Sequence, residues 1–125
     1  WGDVFPPPNS TGNFSESQIN TISNTFPTAY FDGYEVSAPI KSFGPNTNQI
    51  YDLYGNVSEW VHDFYKDKFD KNNSFSNLGP ISGEKHVIKG GSWMNSSPVS
   101  LGIPFRTSGN SAKKDVGFRV ARYAQ

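Results

Sequence analysis

The clearest alternation of apolar and polar positions covers residues 57–65, where Trp60 and Phe64 fall on one face. A period of two over such a length predicts a half-buried strand. Shorter apolar runs predict two further strands, at residues 103–106 and 116–122. Residues 86–89 form another short apolar stretch, which directly precedes a pair of glycines. Only residues 15–24 favour a helix, and a short one. The pattern therefore predicts a mostly β, loop-rich α+β domain.

Large aromatic rings dominate the apolar part of the chain. Hydrophobic residues make up 34% of the 125 residues and aromatic residues 15%, so we expect a core built from a few large rings. The predicted core residues are Trp60, Trp93, Phe118 and Val120, with Leu53 and Val57 buried beside a turn. Gly90 and Gly91 are expected where backbones approach closely or a strand bulges. Loops or turns are predicted at residues 1–13, 31–34 and 66–77.

Charge and composition exclude several function classes. The 11 basic and 11 acidic residues give a net charge of zero, which makes nucleic acid or an anionic membrane surface a poor partner. The sequence contains no apolar run of about 18 residues, the length of a membrane-spanning helix. Without cysteine it has no disulfide, no thiolate nucleophile and no thiolate metal site.

The sequence contains none of the common enzyme motifs that its serine, glycine and histidine residues could form. No serine lies in a Gly-x-Ser-x-Gly turn, and no glycine-rich phosphate loop of the usual spacing occurs. The two histidines, His62 and His86, lack a nearby third ligand of the kind that zinc sites need. We therefore expect His62 to be a structural or surface residue.

Residues 51–60 combine apolar positions with a Gly-Asn turn and two acidic residues. Asp52 and Glu59 flank the turn, and Gly55 and Asn56 are residue types that tolerate positive φ. Carboxylates beside a turn with free carbonyls could hold a hard cation such as Ca²⁺. The same residues also suit an ordinary corner between strands, and the residues alone leave both interpretations open.

Three blocks of the sequence, in this order, resemble the formylglycine-generating enzyme (sulfatase-modifying factor) family. They are residues 50–60 (IYDLYGNVSEW), 89–93 (KGGSW) and 117–122 (GFRVAR), with Lys89 in place of the family's usual arginine. The resemblance implies an elaborated C-type-lectin-like α+β fold with little regular structure. It covers only the second half of the family domain. Residues 1–125, which start at Trp1, are thus expected to be the C-terminal half of one domain in a longer chain.

The resemblance also implies two Ca²⁺ sites and their ligands. The first site falls on the side chains of Asn13 and Asp32 and the carbonyls of Phe14 and Tyr34. The second falls on the side chains of Asp52 and Glu59 and the carbonyls of Gly55 and Val57. Every side chain in these positions carries an oxygen donor, as calcium requires.

The family's catalytic residues are not carried over. Its two copper-binding cysteines align with Asn95 and Ser100, and an amide and a hydroxyl cannot form the thiolate site that Cu(I) selects. The resemblance therefore implies a chain without copper that is not an enzyme of that mechanism.

A non-catalytic, calcium-stabilised scaffold or binding domain is the function that this combination favours. Family members without the cysteines include gliding-motility and type IX secretion lipoproteins of Bacteroidota. By that resemblance we expect an exported protein, in the bacterial periplasm or at the outer membrane or cell surface. Its partners would be proteins of an envelope assembly and the remainder of its own chain. The expected partner-binding loop carries Asn95, Ser100 and Arg106.

Two alternatives stay open. Related domains occur in sulfoxide synthases, whose non-haem iron is held by histidines of another domain. The same fold also serves variable proteins that display a ligand-binding surface.

Overall fold

The computed structural model describes Phe5 and residues 7–16, 30–68 and 79–122. Its regular structure is a mixed four-stranded sheet in the order β3-β2-β1-β4. The strands are β1 (Ser58–Phe64), β2 (His86–Lys89), β3 (Arg106–Gly109) and β4 (Val116–Phe118). β2 pairs antiparallel with both β1 and β3, whereas β4 runs parallel to β1. The rest of the described chain is mostly loops, and none of its helices is long and apolar enough to cross a membrane.

The predicted strand at residues 57–65 is confirmed as β1, at the centre of the sheet. Trp60 faces Ile88 of β2, and the register then shifts before Phe64 meets His86. On the β3 side, a Cβ at Gly109 would lie 2.9 Å from the Trp60 ring and 3.2 Å from Ile88. The missing side chain at Gly109 therefore leaves room for the indole to pack over β2.

β3 begins three residues later than the strand predicted at residues 103–106. Phe105 N–H donates to Gly102 O at 3.0 Å, so residues 102–105 form a turn that ends before β3 begins to pair with β2. Pro104 has no N–H to donate to a neighbouring strand. The prediction was wrong here because apolar residues at an exposed turn resemble a strand.

The prediction that Phe118 and Val120 point into the core is also wrong. Strand β4 ends at Phe118, and the side chains of Phe118 and Val120 are 78% and 83% exposed. β4 is the outermost strand on its side of the sheet, paired only with β1 among the described strands. The alternation at residues 116–122 therefore predicted a burial that the structure does not show.

The main buried cluster is built from loops rather than from the sheet. It contains Phe14, Tyr30 and Leu101, with Phe5 and Tyr54 packed against it. The rings of Phe14 and Tyr30 lie 5.6 Å apart, and the Tyr30 hydroxyl donates to the Gly12 carbonyl. Aromatic rings thus form the core, as the composition predicts.

Several individual burial predictions fare less well. Trp60, Trp93 and Val57 are only half-buried, and Leu53 is exposed, contrary to its predicted burial. The close approach predicted for the paired glycines holds at Gly91, where a Cβ would lie 2.9 Å from Leu101. At Gly90 an added Cβ would meet no atom within 4 Å, and glycine suits this position because its φ is +78°. The predicted helix at residues 15–24 and loop at residues 66–77 lie largely outside the described residues.

Candidate metal centre

Asn13 is the centre of the first predicted calcium site. Its side chain is 0% exposed. The Nδ2 group donates to Val36 O at 2.6 Å, which fixes which way the amide points. Oδ1 is then left buried with no hydrogen-bond partner. An unpaired buried oxygen is costly, and a carboxamide oxygen is a ligand that calcium accepts.

Asp32 brings the other residues of this site together. Its Oδ2 accepts the Phe14 N–H at 2.9 Å, and its Oδ1 accepts the Tyr34 N–H at 2.9 Å across the Gly33 turn. Phe14 directly follows Asn13, so one carboxylate joins the two segments that contain the predicted ligands. We call Asn13, Phe14, Asp32 and Tyr34 the first cluster.

The charge of Asp32 is poorly stabilised in this arrangement. Burial raises the pKa of Asp32 above its ordinary value, although the N–H groups of Phe14 and Tyr34 act to lower it. A cation near a buried carboxyl group favours the ionised form and so lowers the pKa of that group. The first cluster thus combines an unpaired oxygen with a carboxyl group whose pKa is raised by burial.

The second cluster comprises Asp52, Gly55, Val57 and Glu59. Asp52 has a positive φ of 54°, and the turn continues through Gly55 at 72°. Asp52 Oδ2 accepts the Lys41 N–H at 2.7 Å, whereas Oδ1 is buried without a partner. The second cluster therefore repeats the main feature of the first, a buried acidic or amide oxygen that lacks a donor.

Glu59 differs, because Arg119 already neutralises it. Arg119 Nη2 lies 2.6 Å from Glu59 Oε1, and Nε donates to both carboxylate oxygens at 3.0 and 3.1 Å. The same guanidinium donates to Asp52 O at 3.4 Å. These hydrogen bonds to Glu59 raise the pKa of Arg119. Arg119 is thus paired with a carboxylate in the structure.

The two clusters are joined through Asn56, for which the sequence pattern indicated only a place in a turn. Asn56 N–H donates to Asn13 O at 2.8 Å, and Asn13 forms a parallel bridge with Gly55. The buried Asn56 side chain bonds the N–H and carbonyl of Ala38 at 2.9 and 3.2 Å. A Cβ at Gly55 would collide with the Asn13 carbonyl. The only signal for this role in the sequence was the Gly-Asn pair itself.

The donor set suits a hard cation better than zinc. Among the described residues, no three His, Cys, Asp or Glu side chains come together. Any metal held by these clusters would therefore depend on amide and backbone oxygens, which calcium takes and zinc seldom does. His62 is exposed, as predicted, and its carbonyl accepts from His86 Nδ1 at 2.9 Å.

The residues predicted for the partner-binding loop are each bonded within the chain. Asn95 Oδ1 accepts the Ser92 N–H at 2.8 Å, and Ser100 Oγ bonds Ser97 Oγ at 2.9 Å in a local turn. Arg106 donates to the carbonyl of Lys66 at 2.8 Å and lies over the Tyr65 ring. Their proposed contact with a partner stays a prediction.

The profile of the sulfatase-modifying factor enzyme 1-like domain matches residues 1–124. The chain belongs to this family. Mouse formylglycine-generating enzyme is 33% identical to it over 96 residues, which cover 75% of this chain and 24% of that protein. A second mouse protein, inactive C-alpha-formylglycine-generating enzyme 2, is 30% identical over 132 residues, covering 98% and 38%.

A solved structure shows the same fold. Treponema denticola variable protein 1 superposes with a TM-score of 0.65 at 24% identity, over 87% of this chain and 34% of that one. The chain thus spans well under half the length of each of these relatives. The chain contains no cysteine, which is consistent with the loss of the family's catalytic residues.

Proposed function

We propose that the chain is a non-catalytic scaffold or binding domain of the formylglycine-generating enzyme family, stabilised by two calcium ions. The observation that carries the calcium part is the pair of orphaned oxygens, Asn13 Oδ1 and Asp52 Oδ1. One lies in each cluster where the family resemblance puts a calcium ligand. Two buried oxygens without donors are hard to explain in a stable fold unless a cation or water binds them.

Each ion would be held by one cluster. In the first, Asn13 and Asp32 would supply side-chain oxygens, and Phe14 and Tyr34 their carbonyls. In the second, Asp52 and Glu59 would bind through side chains, and Gly55 and Val57 through carbonyls. Calcium would contribute no reaction chemistry there; it would join loops to one another and, through Glu59, to strand β1.

The absence of the family's reaction is supported by what stands in place of the cysteines. Asn95 and Ser100 accept hydrogen bonds from their own turns, and neither is a thiolate ligand. A relative that aligns with 98% of this chain carries the name inactive C-alpha-formylglycine-generating enzyme 2. We extend that property to this chain as part of the proposal.

The binding part of the proposal rests on the loop that follows Trp93. Its outermost apolar side chains are Val99 and Ile103, which are 76% and 77% exposed. Exposed apolar side chains on an ordered loop suit a protein partner. We propose a partner in a bacterial envelope assembly, alongside the rest of the domain that longer relatives possess. Fractionation of cells producing the full-length protein tests this location: recovery in the cytoplasm would contradict it.

Thermal unfolding with and without calcium tests the proposed function. A ligand at about 100 times its Kd adds about 2.7 kcal/mol of stability. For a domain of this size that corresponds to a rise in Tm of roughly 10 °C. We expect EGTA to lower the Tm by several degrees, 1 mM Ca²⁺ to restore it, and 1 mM Mg²⁺ to have a smaller effect. An identical Tm in EGTA and in calcium would refute the calcium assignment.

A further inference from the structure

Glu16 lies beside the first cluster but is not among the ligands that the family resemblance implies. Its Oε1 accepts the N–H groups of Asp32 at 2.7 Å and Gly33 at 3.2 Å. The side chain therefore reaches from the segment that contains Asn13 to the turn that contains Asp32. Glu16 is half-buried at this position.

The Glu16 and Asp32 carboxylates are close enough to affect each other. Glu16 Oε1 accepts the backbone N–H of Asp32, so both carboxylates lie at the same turn. Within the described part of the chain, no Lys, Arg or His forms an ion pair with either carboxylate. Two carboxylates without a cationic partner repel each other, and a cation between them offsets that repulsion.

Asn13 Oδ1 gives an independent indication that a cation belongs here. It is fully buried and has no donor, and Asn13 precedes Phe14, whose N–H bonds Asp32. An unpaired neutral oxygen cannot be explained by the repulsion of two carboxylates. Both features are explained together if a cation binds at this position.

We infer that Glu16 supplies a second carboxylate to the first cluster, which then presents two negative charges to one divalent cation. The inference rests on the calcium binding proposed above and adds a residue to it. Calcium sites gain affinity with the number of charged ligands. The simpler role for Glu16 is a brace, in which its oxygen only accepts the two backbone N–H groups of the turn.

Substitutions at Glu16 separate the two roles. Glu16→Gln keeps the side-chain length and an acceptor oxygen but removes the charge, whereas Glu16→Asp keeps the charge and shortens the side chain. If Glu16 supplies charge, the Gln variant loses at least tenfold in calcium affinity at the first cluster, and the Asp variant retains more than the Gln variant. If Glu16 is only a brace, the order is reversed, and this result would overturn the inference.

Isothermal titration of the protein with CaCl₂ measures the affinities, and the Tm in EGTA reports folding of each variant. Glu35→Gln is the matched control, because Glu35 is an exposed acid next to Tyr34; its calcium affinity should change less than twofold. Should the Gln variant fail to fold, the Asp variant decides: retained binding at the first cluster supports the inference, and lost binding overturns it. If the wild-type protein binds no calcium, the proposed function itself is refuted. If the wild type binds calcium and the Gln variant binds it equally well, only the inference about Glu16 is overturned.

Discussion

The first and second clusters use the same kinds of ligand but differ in what neutralises them. In the first, Asp32 is buried and has no ion pair with a described cationic side chain. In the second, Arg119 forms a bidentate pair with Glu59 and also reaches the Asp52 carbonyl. Among the described residues, Asp32 of the first cluster therefore has no cationic partner, whereas Glu59 of the second is paired with Arg119. This difference predicts tighter calcium binding at the first cluster.

Substitution of Asn56 should have the largest effect, because this residue joins the clusters. Asn56→Ala leaves the N–H and carbonyl of Ala38 without their buried partners, each costing about 1–3 kcal/mol. The new residue must also adopt a φ of 62°. We expect a loss of roughly 3 kcal/mol and weaker calcium binding at both clusters, as measured by urea unfolding and calcium titration. Asn48→Ala, at an exposed loop position, should change stability by less than about 0.5 kcal/mol.

The calcium affinities of single-cluster variants test the comparison itself. Asp32→Asn removes the buried charge of the first cluster and should lower its affinity about a hundredfold, or about 2.7 kcal/mol. Asp52→Asn should cost about tenfold, since Arg119 already offsets part of the negative charge near it. Titration of the two variants gives both values. Equal losses would show that Arg119 does not distinguish the clusters.

Removal of Arg119 should make the second cluster more like the first. Arg119→Gln frees the Glu59 carboxylate, so calcium affinity there should rise by up to about tenfold. The pair is partly exposed, so stability without calcium should fall by no more than about 1 kcal/mol. Arg106→Gln is the control, because Arg106 bonds loop carbonyls away from both clusters. A fall in affinity in Arg119→Gln would show that Arg119 supports the site instead of competing with the ion.

The smallest expected effect is on stability at alkaline pH, through Tyr30 in the buried cluster beside the first calcium-ligand cluster. Burial raises the pKa of Tyr30 well above its ordinary value of 10.0. The folded state therefore holds this proton to higher pH than the unfolded state does. The contribution of Tyr30 is intact below about pH 10 and decreases as the pH rises above it. Tyr30→Phe should lose stability less steeply than the wild type between pH 10 and 11, as measured by urea unfolding. Parallel curves would contradict this.

Local patterns predicted the features that depend on neighbouring residues. The alternation at residues 57–65 predicted the central strand β1, whose Trp60 ring packs across the sheet toward Gly109. The Asp32–Gly33 pair and Gly55–Asn56 predicted turns, and both occur with positive φ. These features require only the residue types within a few positions of one another.

Contacts between distant parts of the sequence were harder to predict. Asn56 bonds a residue 18 positions away, and Arg119 pairs with Glu59 across 60 positions. The acceptor role of Glu16 toward Asp32 and Gly33 likewise depends on how two loops meet. Phe118 and Val120 had a buried-strand pattern, but β4 is an edge strand that ends at Phe118, and both side chains are exposed. Periodicity does not show which strand lies at an edge.

A crystal structure of the protein grown with millimolar CaCl₂ would show whether calcium binds both clusters. We predict spherical density in each cluster, about 2.3–2.6 Å from Asn13 Oδ1 in the first and from Asp52 Oδ1 in the second. Anomalous signal would identify the ion as calcium. Asn13 Oδ1 and Asp52 Oδ1 bonded to water or to protein donors, with no ion in either cluster, would contradict it.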